Sequence, residues 1–145
     1  MLPFTLIGQP DNAAALEKLS PARDLDLLVV YHGELALRSF LQRILGAAGY
    51  QDPGTQLHLL EWPQDTPLDL ASLVRVLNCD KVIVFGYALP QLGLHLAVAN
   101  YFPIAVAGTT YLIADSLEYI SQTKEAGDHQ AAGALWTAMK EAFLR

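Results

Sequence analysis

Residues 82–114 read VIVFGYALPQLGLHLAVANYFPIAVAGTTYLIA, an uncharged stretch held between Lys81 and Asp115. Two strand-like runs lie inside it, Val82–Phe85 and Thr110–Ala114. A strand buried on both faces reads as continuous hydrophobic sequence, which is how strands of a parallel sheet look. The connector between them, Tyr87–Pro103, is apolar too, although Gly, Pro, Asn and His interrupt it. Connections usually run over the surface and carry polar side chains, so this one needs a cover. Either it folds back on the sheet with a small core of its own, or it forms a neutral aromatic docking surface, since interface cores favour aromatic side chains and exclude charge. The partner-binding candidates are Tyr87, Leu89, Leu92, Leu94, Tyr101 and Phe102.

Working outward, Leu25–Tyr31 (LDLLVVY) and Leu57–Trp62 read as two more buried strands. Between them Leu37, Phe40, Leu41, Ile44, Leu45 and Ala48 recur at helical spacing over Glu34–Ala48, and Gly49 supplies a left-handed stop. Thr66, Pro67 and Asp69 open a helix with Leu70, Leu73, Val74 and Leu77 on its buried stripe and Asn78 at its end. Downstream, Asp115-Ser116 with Glu118 resembles a capped helix start for Ser116–Thr123. Lys124–His129 is a polar link, and a last helix spans Gln130–Phe143 with Ala132, Leu135, Trp136, Met139 and Phe143 on one face. Before the first strand, Met1–Asn12 suits an edge strand or packed arm, Asn12 caps a short helix to Leu19, and Ser20-Pro21 ends it.

Strands alternating with helices give an α/β fold, a three-layer sandwich on a mostly parallel four-stranded sheet ordered 2-1-3-4. The chain of 145 residues is expected to form one domain, with an N-terminal arm and short helix at 1–24 and a core at 25–145.

Composition narrows the function. Hydrophobic residues make up 52% and charged residues 17%, less than the roughly 25% of an average soluble domain, so much of the surface is uncharged. The net charge is −6 and the nine Lys and Arg are scattered, which argues against direct tight nucleic-acid binding. Cys79 is alone, so neither an intrachain disulfide nor a thiolate zinc cluster is available, and a reducing cytoplasm suits the chain. Pro90, Pro103, Gln91 and Asn100 break the central stretch below the ~18 apolar residues of a membrane span, and no secretory leader is recognisable.

Ligands of open α/β sheets sit at the carboxyl ends of the strands. Here those ends carry His32, Glu34 and Asp115, which could converge as acid and base partners. Glu34 and Asp115 also open helices, where a carboxylate stabilises the dipole by roughly 0.3–1 kcal/mol. His32, His58, His95 and His129 lack metal-ligand spacing, and neither a dinucleotide nor a P-loop glycine pattern is present, so no metal and no cofactor is expected.

The motifs LLVVY with its turn, VIVFG, the junction LIADSL and the helix ALWTAMKEAF together resemble the uracil-DNA glycosylase-like fold, and within it the psi subunits of bacterial DNA polymerase III. They are spread over Leu25–Leu144. Active glycosylases of this fold carry a Gly-Gln-Asp-Pro-Tyr type turn after the first strand and a His-Pro-Ser type motif before a late helix. This chain has His32-Gly33-Glu34-Leu35 and Ala114-Asp115-Ser116-Leu117 there, so the resemblance implies a fold without its catalytic motifs. It implies a non-catalytic protein-interaction subunit that bridges the clamp loader to the chi subunit and single-stranded-DNA-binding protein. Met1–Ser20 carries no recognisable version of the family's clamp-loader peptide. Two alternatives stand beside this expectation. One is a divergent glycosylase or nucleotide-processing enzyme using Glu34, Asp115 and His32; the other is a small-ligand-binding or self-associating domain outside DNA metabolism.

Overall fold

A computed structural model of the chain describes residues 12–17, 19, 25–33, 35–50, 56–63, 66–87, 89–94 and 100–142. The arm expected before Asn12, the Ser20-Pro21 break, Glu34, His95 and Phe143 lie outside the described residues.

The elements run α1 (Ala13–Glu17), β1 (Leu27–Tyr31), α2 (Leu35–Ala47), β2 (His58–Glu61), α3 (Leu70–Leu77), β3 (Lys81–Phe85), a 3-10 turn (Leu89–Leu92), β4 (Ile104–Val106), β5 (Thr109–Ala114), α4 (Leu117–Glu125) and α5 (Gln130–Ala142). The five strands form one mixed sheet in the order β2-β1-β3-β5-β4. β1 pairs in parallel with β2 and β3, and β3 in parallel with β5. The four strands expected from the sequence thus stand in the expected order.

The expected strand count is corrected by β4, which pairs antiparallel with β5 through Ile104–Tyr111 and Val106–Thr109. It is three residues long, and its hairpin turns on Ala107 and Gly108 at φ 52° and 85°. Two positive φ values are what a tight hairpin requires, but Ala-Gly lacks the Asn-Gly or Asp-Gly signature that announces such a turn.

Alternation along the strands divides the core between two faces. Leu28, Val30, Val82, Val84, Tyr111 and Ile113 face α1, α3 and the 3-10 turn. Leu27, Val29, Ile83, Phe85, Leu112 and Ala114 face α2, α4 and α5. Helices therefore cover both sides of the sheet. No helix among the described residues is long and apolar enough to cross a membrane.

Three expected caps are reassigned. Asp69, not Thr66, opens α3: its carboxylate accepts from the Ser72 amide at 3.2 Å and the Ser72 hydroxyl at 2.7 Å. Asn12 does not turn its side chain on its own helix; it donates to the Asp69 carbonyl at 2.9 Å and accepts from the Asp69 amide at 3.1 Å, tying α1 to the start of α3. Ser116 caps α4 by accepting from the Tyr119 amide at 3.1 Å, which frees Asp115 for another role. Gly49 adopts the expected left-handed conformation at φ 105°, and Asn78, expected as the helix end, ends α3 in the left-handed region at φ 57°.

Candidate functional site

The carboxyl ends of β1, β3 and β5 meet around Gly86. The Gly86 amide continues the β3–β5 pairing by donating to the Ala114 carbonyl at 2.9 Å. On its other side, His32 Nε2 lies 3.3 Å from the Gly86 carbonyl, donating to it in the tautomer protonated at that nitrogen. The His32 ring also meets Tyr87 edge to face, with centroids 5.2 Å apart. Gly86 sits at φ 77°, and a Cβ built there would stand 2.6 Å from Ser116 Cβ, 2.7 Å from Ser116 Cα and 3.0 Å from His32 Nε2. Only glycine lets the exit of β3 pass this close to the start of α4.

Asp115 is held from the connector. Its Oδ2 accepts from the Tyr101 hydroxyl at 2.7 Å and its Oδ1 from Asn100 Nδ2 at 3.2 Å, while the Asp115 amide donates back to the Tyr101 oxygen at 3.3 Å. Tyr101 reaches this position at φ 68°, a left-handed conformation costly to a bulky residue, and its amide is fixed on the Ile113 carbonyl at 2.8 Å. Burial pushes the Tyr101 phenol well above the ordinary tyrosine value, and donation to the Asp115 carboxylate raises it further.

Other described residues of the connector pack onto the sheet. Tyr87, Leu92 and Leu94 are buried in the core with Trp62 and Leu68. The Tyr87 hydroxyl donates to the Trp62 carbonyl, and burial pushes its phenol far up. Gln91 donates to the Thr66 carbonyl at 2.8 Å and the Leu68 amide donates to the Gln91 carbonyl at 3.0 Å, so the 3-10 turn closes over the loop that follows β2.

The partner-binding candidates therefore separate. Tyr87, Leu92 and Leu94 are interior, Tyr101 is half-buried on Asp115, and the Leu89 side chain lies outside the described residues. Of the five whose side chains are described, Phe102 alone is well exposed, at 69%. Tyr119 on α4, exposed at 50%, adds a second aromatic surface that the sequence reading passed over. It lines, with Gly86, Asn100, Asp115 and Ser116, a cavity of about 440 Å³ at the strand ends.

Among the described residues no hydrogen bond links His32 to Asp115, and no group of three metal-ligating side chains is found. The Ser116 hydroxyl is turned to its capping bond. Glu34, the remaining acid of the expected constellation, lies outside the described residues. What the geometry holds is a carboxylate fixed by two donors and a histidine lodged on a glycine backbone, with Asn100 and Tyr119 on the cavity lining. Asn100 was missed as a site residue, and Tyr101 was expected only as a partner contact, because nothing in a local reading connects either to a carboxylate beyond the next strand. Compared with known protein-family models the chain matches none, and no curated protein is similar enough to count as a relative.

Proposed function

We propose that the chain is a non-catalytic protein-interaction subunit of the psi type, acting in the bacterial cytoplasm between the clamp-loader side of the replication machinery and its chi and single-stranded-DNA-binding-protein side. The carrying observation is that, of the three strand-end side chains expected to do chemistry, the two among the described residues are engaged in holding the fold: Asp115 on Tyr101 and Asn100, His32 on Gly86 and Tyr87. A general base needs a free lone pair within reach of the proton it takes. Here Tyr101 and Asn100 hold both oxygens of the Asp115 carboxylate in place, and Phe102, next to Tyr101 in the chain, is an exposed apolar side chain. The parallel order β2-β1-β3-β5 is compatible with the uracil-DNA glycosylase-like resemblance, and the net charge of −6 fits a protein rather than a phosphate backbone as the partner. Affinity purification of the tagged chain from its native cells tests the assignment: clamp-loader or chi-type components should co-purify, and their complete absence from a recovered complex would remove the replication role.

One observation favours the enzymatic alternative, the cavity of about 440 Å³ with Asp115 on its wall. Release of uracil from single-stranded DNA discriminates between the two. The adaptor reading expects no turnover above that of a Glu34→Gln/Asp115→Asn variant.

A further inference from the structure

A second open surface lies on the helical layer formed by α2, α4 and α5. Ile44, Ile120, Ala132 and Leu135 floor a groove of about 230 Å³, and Trp136 forms one wall. Small-molecule pockets commonly enclose about 300–1,000 Å³, so this one suits a side-chain anchor better than a cofactor. Cations stand around it. Arg43 Cζ and Lys124 Nζ lie 5.8 and 5.7 Å from the Phe40 ring centroid, and Lys140 Nζ lies 5.6 Å from that of Trp136.

All three cationic side chains are exposed, no carboxylate is among the groove's lining residues, and the ion pair found among the described residues is elsewhere, between Lys81 and Asp26. A chain of net charge −6 thus gathers three cations, without carboxylate partners among the described residues, at one apolar groove. The ring contacts keep the long stems laid over apolar surface while their charged ends stay available.

We propose that this groove docks a short acidic segment of a partner protein, an apolar side chain entering the floor and flanking carboxylates meeting Arg43, Lys124 and Lys140. Single-stranded nucleic acid is the weaker fit, because such binding uses open aromatic faces and a basic track. The Phe40 ring is buried, and the chain as a whole is acidic. The inference stands on this groove alone and does not depend on the strand-end reading.

Fluorescence anisotropy of a labelled synthetic peptide alternating Asp with Leu and Phe, titrated with the full chain, tests it. The peptide should bind saturably, weaken with added salt, and lose about tenfold or more in affinity to an Arg43→Glu/Lys124→Glu variant whose circular dichroism is unchanged. Phe102→Asp should leave this binding intact, which separates its failure from failure of the adaptor reading. Absence of binding, or equal affinity for the charge-reversed variant, would overturn the proposal. So would oligothymidine competing for the same cations, or a wild-type dimer in sedimentation equilibrium that the double variant dissociates.

Discussion

Gly86→Ala is the sharpest perturbation of the strand-end corner. Two costs combine at this position. An L-residue at φ 77° pays about 1–2 kcal/mol for the left-handed conformation. The added methyl would also lie 2.7 Å from Ser116 Cα, a backbone atom of the residue that opens α4, and so it cannot be relieved by a rotamer change. Overpacking of this kind costs about 1–3 kcal/mol, giving a sum of about 2–5 kcal/mol. For a chain of this size each kcal/mol shifts the melting temperature by about 3 °C, so Gly86→Ala should melt about 6–15 °C below wild type. Gly49→Ala and Gly127→Ala are the controls, at φ 105° and 90° with nothing within 4 Å of the added Cβ. They carry the conformational cost alone, about 1–2 kcal/mol. Urea unfolding followed by the fluorescence of buried Trp62 gives all three values on one scale. If Gly86→Ala proves no more costly than Gly49→Ala, the close approach of β3, α4 and His32 is absent and the interlocked corner with it.

Three further outcomes are expected. Tyr101→Phe keeps the backbone and removes the donor to Asp115, so urea unfolding should show a loss of about 1–3 kcal/mol; a change within experimental scatter would mean that the Asp115 clamp contributes nothing. Burial raises the phenols of Tyr31, Tyr87, Tyr101 and Tyr111 above their ordinary value of 10.0, so once pH passes about 10 the unfolded chain holds fewer protons than the folded one. Their contribution to stability is therefore fully present below that pH and is lost above it; phenolate absorbance rising smoothly at pH 10, with no accompanying unfolding, would contradict this. Ala107→Asn places a residue that tolerates positive φ in the β4–β5 hairpin and should stabilise by about 0.5–1 kcal/mol in thermal melts, whereas a destabilised variant would speak against the assigned turn.

The long-range frame was legible because burial on both faces leaves a strong mark: LLVVY, KVIVF and TTYLIA carry a single charged residue between them and became the three central strands. Helix ends with a special backbone were legible as well, at Gly49 and Asn78. Capping was harder, since Thr66 and Asp69, or Asp115 and Ser116, are equally acceptable caps by chemistry. The choice between them is made by distant contacts, Asn12 on the Asp69 backbone and Tyr101 on the Asp115 carboxylate. The connector exposed the same limit. Its apolar composition predicted either core or interface, and the structure assigns Tyr87, Leu92 and Leu94 to the first while leaving Phe102 in the open. Which of several adjacent aromatics turns outward depends on the left-handed backbone at Tyr101, and no local pattern announces that conformation in a bulky residue.

The central proposal is that this chain is a non-catalytic adaptor that recruits a protein through a surface that includes the exposed Phe102. Phe102→Asp tests it most directly, because a charge set into an apolar contact is buried without a mate, whereas in the free chain it stays exposed and leaves the fold intact. Tagged wild-type and Phe102→Asp chains would be recovered in parallel from native cells, with circular dichroism verifying that both are folded. The account predicts a stoichiometric protein partner with the wild type that is lost or strongly depleted with the variant. Equal recovery of the same partner by both chains would contradict it.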